Sequence, residues 1–157
     1  MIVNIMLIDD NKINLFVTQK IIENSGIAAN IKSFDSAIVA LDFLKNIEET
    51  NTFQTKFIPD IILLDINMPE MNGTQFLSAF NKVKSIQNSQ TCIYIVSSSI
   101  DPEDIKSVTK EVNCKGYIEK PITSEKFNKI LVNYRPYLGT YDYQEVDINL
   151  DVMRKTS

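Results

Sequence analysis

Residues 58–67 read IPDIILLDIN. Within them, 61–66 (IILLDI) is apolar at odd and even positions alike until Asp65. A strand with one wet face alternates polar and apolar. A run apolar on both faces fits a central parallel strand covered by helices on both sides. The reading that follows is an α/β fold, and the strand ends on a carboxylate. Residues 5–10, IMLIDD, repeat the design and stop on Asp9 and Asp10. Like charges at the edge of a core are costly unless a cation or donor meets them.

Outward from these two runs, strand-like and helix-like segments alternate. The apolar, β-branched run 2–8 predicts a first strand. From Asn11 the period changes, and Ile13, Phe16, Val17 and Ile21 recur as on one helix face, with Gly26 as a stop. Residues 28–34 predict a weaker second strand. Asp35 or Ser36 can cap a second helix with Ala37, Ala40, Leu41, Leu44 and Ile47 on its face. The polar stretch 48–60 predicts a loop. Phe76, Leu77, Phe80 and Val83 mark a third helix, and 92–97 (CIYIVS) a fourth strand. Asp101 followed by Pro102 is a strong start for a fourth helix. A fifth strand over 115–120 precedes a helix opened by Thr123 or Ser124, with Phe127, Ile130, Leu131 and Tyr134 on one face. The phenylalanines at 16, 76, 80 and 127 read as core. Five strand–helix repeats imply a parallel sheet with right-handed crossovers.

Composition narrows the function. The 157 residues carry 16 basic and 20 acidic side chains, a net charge of −4. That balance argues against a phosphate-backbone binder of nucleic acid. No apolar stretch reaches the ~20 residues of a membrane span, and no secretory leader is evident, so a cytoplasmic protein is expected. Cys92 and Cys114 lack metal-ligand spacing and read as buried thiols. Histidine is absent, which removes Ser-His-Asp and Cys-His catalysis and any phosphohistidine on this chain. The four glycines (26, 73, 116, 139) are too far apart for a nucleotide-cradling loop.

Ligands of open parallel sheets sit beyond the carboxyl ends of the strands. Here those ends carry Asp9, Asp10, Asp65 and Ser97, and the fifth strand leads to Lys120. If the strands are neighbours, three carboxylates converge with one ammonium and one hydroxyl. Such an oxygen-rich pocket suits a hard cation. Mg²⁺ fits best, because it uses one or two carboxylates, waters and a phosphate. Asp65 could then attack a phosphoryl group, with Lys120 and the metal neutralising the incoming oxygens.

The motifs LIDD (7–10), LLDINMPEMNG (63–73), VSS (96–98) and GYIEKP (116–121) together resemble the receiver domain of two-component response regulators. The resemblance spans about residues 3–134 and is similar to the stand-alone, chemotaxis type. It implies a flavodoxin-like (βα)5 doubly wound sheet in the order 2-1-3-4-5. It implies Asp65 as phosphoacceptor, Asp10 as direct Mg²⁺ ligand and Asp9 acting through water. Asn67 would add its backbone carbonyl, and Lys120, before a cis bond to Pro121, would contact the phosphoryl group. Ser97 takes the place of the switch hydroxyl and Tyr117 that of the aromatic switch. The implied partners are a histidine kinase or histidine phosphotransfer protein and a downstream protein target. The readout would be the face of the fourth helix, fifth strand and fifth helix, through which a homodimer is also possible. Residues 1–134 would form the receiver domain, and 135–157 a tail with no effector domain.

Each residue also has a plainer reading. Asp9 or Asp10 could cap the first helix, Asp65 could be a loop acid, and Lys120 a solvated lysine. Ser97 could be a loop serine and Tyr117 half-buried packing. Two other functions compete with a phosphoacceptor that is not an enzyme. One is a Mg²⁺-dependent phosphohydrolase with an aspartyl-phosphate intermediate; such enzymes place a second Asp two residues after the nucleophile, where this chain has Asn67. The other is a receiver-like interaction module that works without phosphorylation.

Overall fold

The computed structural model describes residues 2–48, 57–84, 89–99 and 101–134. The predicted tail, 135–157, and most of the predicted loop 48–60 lie outside them. The elements run β1 (Val3–Ile8), α1 (Lys12–Glu23), β2 (Ala29–Phe34), α2 (Ala37–Lys45), a 3₁₀ turn (Asn46–Glu48) and β3 (Ile61–Leu64). They continue with α3 (Gly73–Phe80), β4 (Cys92–Ser97), α4 (Pro102–Thr109), β5 (Cys114–Glu119) and α5 (Ser124–Tyr134). The five strands form one sheet in the order β2-β1-β3-β4-β5, parallel throughout. That is the predicted doubly wound order.

The central strands are dry on both faces, as their sequences require. All four residues of β3 and all six of β4 are buried. One face of the sheet packs on α2, α3 and α4 through Leu44, Phe76, Leu77 and Val108. The opposite face packs on α1 and α5 through Ile22, Phe127, Ile130 and Tyr134.

Local chemistry starts the helices. Asn11 Oδ1 accepts the amides of Ile13 and Asn14 at 2.9 and 3.3 Å. Ser36, rather than Asp35, caps α2. Asn72 and Gln75 form a reciprocal capping box on α3. Asp101 accepts the Glu103 amide at 2.9 Å, with Pro102 opening α4. Thr123 accepts the Lys126 amide at 3.2 Å and opens α5.

The expected face of α1 holds only at Ile21, which packs partly buried against the core. Ile13, Phe16 and Val17 are 73%, 62% and 43% exposed, so Phe16 is not core. The inward stripe is Leu15, Thr18 and Ile22, of which Ile22 is fully buried. Because α1 carries apolar residues on two sides, 13, 16, 17 and 21 on one and 15 and 22 on the other, periodicity offers more than one stripe, and contact with the sheet selects the one that contains a threonine.

Candidate functional site

Strand register brings the polar residues together. Leu64, the last residue of β3, pairs with Ile8 on one side and Ile95 on the other. Asp65 therefore lies level with Asp9 and Val96, and Ser97 stands one residue beyond. Ser97 pairs with Glu119, so Lys120 follows one step further. The Lys120 amide donates to the Ser97 carbonyl at 2.9 Å, and the Lys120–Pro121 bond is cis, as expected. Lys126 Nζ braces that turn by donating to the carbonyls of Glu119 (2.6 Å) and Pro121 (3.0 Å).

Lys120 Nζ lies 2.7 Å from Asp9 Oδ2 and 2.9 Å from Asp65 Oδ2. The three side chains are only 16%, 12% and 7% exposed. The question raised by two acidic strand ends thus has a direct answer: one ammonium bridges them. Asp9 also does the plainer job considered for it. Its Oδ1 accepts the Asn11 amide at 2.9 Å and Asn14 Nδ2 at 3.4 Å, at the entry to α1. Burial pushes the Asp65 carboxyl above its usual range; Lys120 opposes that shift, and the Asp9 charge adds to it. Burial would lower the Lys120 ammonium, but its hydrogen bonds and charge pairing with Asp9 and Asp65 win, and the net shift is upward.

Oxygens of Asp9, Asp10 and Asp65 all lie within 4.8 Å of one another, with Asp10 exposed to solvent. Three carboxylates against one ammonium leave two negative charges at one point of the surface. An all-oxygen, doubly negative donor set open to water fits a hard divalent cation such as Mg²⁺. Asn67 is exposed beside this cluster, and its amide donates to Asp65 Oδ1 at 3.3 Å.

The loop after β3 is shaped by a close approach. The Gly73 amide donates to the Ile66 carbonyl at 2.9 Å. A Cβ at Gly73 would come within 2.9 Å of both the Asp65 carbonyl oxygen and Ile66 Cα. Only glycine lets α3 begin against the backbone that carries Asp65.

Ser97 is fully buried, and its Oγ accepts the Ser99 amide at 3.2 Å. Tyr117 is half-buried, and its hydroxyl donates to the Ser99 carbonyl. One peptide segment therefore joins the two expected switch residues. The coupling role of Ser99 runs through its backbone amide and carbonyl, which no side-chain pattern reveals. Also unforeseen is a narrow cleft of about 20 Å³ behind the acidic cluster, lined by Asp9, Asn14, Leu15, Thr18, Asp65 and Val96. That volume suits a single water.

Comparison with known proteins agrees with this fold. The family model for the response regulator receiver domain matches residues 5–132. The polar-differentiation response regulator DivK of Brucella ovis is 27% identical over 134 residues, covering 83% of this chain and 94% of that protein. A protein-glutamate methylesterase/protein-glutamine glutaminase of Treponema pallidum is 29% identical over 124 residues; the match covers 77% of this chain but only 27% of that enzyme. Among solved structures, a two-component response regulator from Cytophaga hutchinsonii superposes with a TM-score of 0.71 at 26% identity, covering 83% of this chain and 95% of its own. The phosphorylated cyanobacterial phytochrome response regulator RcpA shares the fold, with a TM-score of 0.68 at 23% identity over 92% of this chain and all of its own. Among the described residues no helix is long and apolar enough to cross a membrane. On its fold, on the strand-end cluster and on a match to nearly the whole described domain, the chain belongs to the response regulator receiver domain family.

Proposed function

We propose that this chain is a cytoplasmic response regulator whose receiver domain takes a phosphoryl group onto Asp65 in a Mg²⁺-dependent reaction. The donor is a partner histidine kinase or histidine phosphotransfer protein, in keeping with the absence of histidine here. The observation that carries the reading is the meeting of Asp9, Asp10 and Asp65 within 4.8 Å, with Lys120 bonded to two of them.

Asp10, Asp65 and the Asn67 carbonyl would hold the metal, with Asp9 acting through water. Bound Mg²⁺ supplies positive charge where the phosphoryl oxygens arrive. The Asp65 carboxylate attacks phosphorus, the donor's P–N bond breaks, and its electron pair stays on the imidazole nitrogen. Lys120 stabilises the transferred oxygens. The Ser97 hydroxyl then turns to a phosphoryl oxygen, giving up its bond from the Ser99 amide, and Tyr117 follows through the shared Ser99 peptide. The added charge biases this two-state element, and a downstream protein reads the α4–β5–α5 face. The role is signalling, with self-phosphorylation from small donors and self-dephosphorylation as its only chemistry.

The test is intact mass after incubation with acetyl phosphate, with and without Mg²⁺, beside Asp65→Asn. One added phosphoryl group, lost in the variant and without the metal, is expected. Equal labelling of Asp65→Asn sinks the proposal. Absence of labelling together with absence of Mg²⁺ and beryllofluoride binding favours a phosphorylation-independent module. Rapid multiple turnover of a phosphate monoester favours a phosphohydrolase.

A further inference from the structure

β5 is an edge strand, paired with β4 on one side and with no strand on the other. An edge leaves backbone groups without a ladder partner. The peptide that joins Glu119 to Lys120 is bonded at both ends all the same. Its N–H donates to the Ser97 carbonyl on β4 at 2.9 Å. A trans peptide points its C=O the opposite way, toward the open edge. There the Glu119 carbonyl accepts Lys126 Nζ at 2.6 Å. The same ammonium donates to the Pro121 carbonyl at 3.0 Å, on the other side of Lys120. The geometry points to Lys126 as a positioning residue for phosphoryl transfer, which fixes the backbone from which Lys120 reaches Asp65. The inference rests on the proposed phosphoacceptor role of Asp65.

The surroundings of Lys126 separate it from an ordinary solvated lysine. It is the third residue of α5, at the helix end whose dipole favours acids and disfavours a cation. Its charge is taken up by backbone oxygens instead. Glu125, next to it, pairs with Lys129 at 3.0 Å, and no carboxylate among the described residues pairs with Lys126. Its own amide donates to Thr123 Oγ1 at 3.2 Å. Main chain and side chain of this one residue are thus both tied to the turn that carries Lys120. Hydrogen bonds from an ammonium are roughly twice as strong as neutral ones, which suits a clamp at the surface.

The clamp matters because Lys120 works at the end of a long stem. A small rotation of its backbone is magnified at Nζ, and the contacts of 2.7 and 2.9 Å to Asp9 and Asp65 leave little slack. Misplacing a reacting group by about 1 Å can cost roughly a hundredfold in rate. Lys126 bonds to neither carboxylate, so it acts on the reaction only through Lys120. The metal ligands stand at the ends of β1 and β3, outside its reach.

Lys126→Met, Lys126→Arg and Lys129→Met in the full chain test the assignment. In Lys126→Met, affinity for beryllofluoride at saturating Mg²⁺ should fall about tenfold, a partial misplacement on the same scale. The Lys120 side-chain ¹⁵N resonance in metal-free buffer should shift. Mg²⁺ affinity should hold or rise, because the ammonium that repels the cation is less firmly placed. Lys126→Arg should restore both readouts, since a guanidinium has N–H groups for both carbonyls. Lys129→Met, which removes a charge from the same helix, should change neither. A Lys126→Met protein with wild-type beryllofluoride affinity and an unmoved Lys120 resonance overturns the proposal. An equal fall in Mg²⁺ and beryllofluoride affinity also overturns it, in favour of general loosening of the fold. The Lys120 resonance needs neither metal nor phosphoryl group. It therefore tests the clamp even if the wild type takes no phosphoryl group, which would be a failure of the proposed function alone.

Discussion

Replacing Lys120 with Met removes the cation that two strands share. Its ammonium lies 2.7 Å and 2.9 Å from Asp9 and Asp65, among side chains at most 16% exposed. Breaking a buried pair by deleting one partner costs about 3–5 kcal/mol, because the surviving charge is stranded. Water at the mouth of the site lowers that figure, as does proton uptake by one carboxylate. A loss of about 2–3 kcal/mol at pH 7.5 in EDTA is expected, roughly 10 °C in Tm for a domain of this size. The sign of the pH dependence follows from Asp65. Burial and the Asp9 charge already push its carboxyl up, and Lys120 is what opposes them. Without Lys120 the folded-state pKa climbs further above the unfolded value. A raised carboxyl binds its proton more tightly when folded, so stability falls as pH rises through the folded pKa. The variant's deficit should therefore shrink between pH 7.5 and pH 5, and Mg²⁺ should stabilise the variant more than the wild type. Urea melts in EDTA at both pH values, repeated with Mg²⁺, measure all three. A variant as stable as wild type at pH 7.5, or a deficit that does not change with pH, would refute the assignment of Lys120 as the bridge.

Ile22→Ala should cost about 2–4 kcal/mol by urea denaturation, whereas Phe16→Ala on the same helix should cost about 1 kcal/mol or less; equal costs would contradict the inward stripe. Gly73→Ala should destabilise by about 1–3 kcal/mol despite alanine's better helix propensity, because its Cβ meets backbone rather than a movable side chain; a neutral or stabilising result in the same melts would refute the close approach. Burial raises the thiols of Cys92 and Cys114 and pushes the Tyr94 phenol up to about 12. Raised groups lose their stabilising protonated form as pH climbs, so stability should decline between pH 10 and pH 12, and Tyr94→Phe should flatten that limb in circular-dichroism melts.

The sequence revealed the fold where burial leaves a simple trace. β3 and β4 are dry on both faces, and a continuous apolar run has one plausible home. The acidic strand ends were legible because a carboxylate after such a run breaks its pattern. α1 was not legible, because it is apolar on two sides and its inward stripe includes Thr18. The cleft residues Asn14 and Thr18 were hidden for the same reason: they are ordinary polar residues on a helix until the sheet lies beneath them. The link from Ser97 to Tyr117 runs through the backbone of Ser99, and a backbone contact carries no residue-type signal.

The register of the strand ends turns the site into a staircase. Asp9 and Asp65 stand on the lowest tread, Ser97 one residue higher, and Lys120 two residues above the level of Asp65. At ~3.3 Å per residue, Lys120 starts almost 7 Å above the carboxylate it binds. The side chains are graded to match: short acids below, and a four-carbon stem that reaches back down. Charge alone therefore does not define the lysine's place. A shorter cation at position 120 would hang over the site without touching it. An arginine would bring a broad planar head where a single point of charge fits between two acids. The tread height of β5 thus selects the length and shape of the residue at its end.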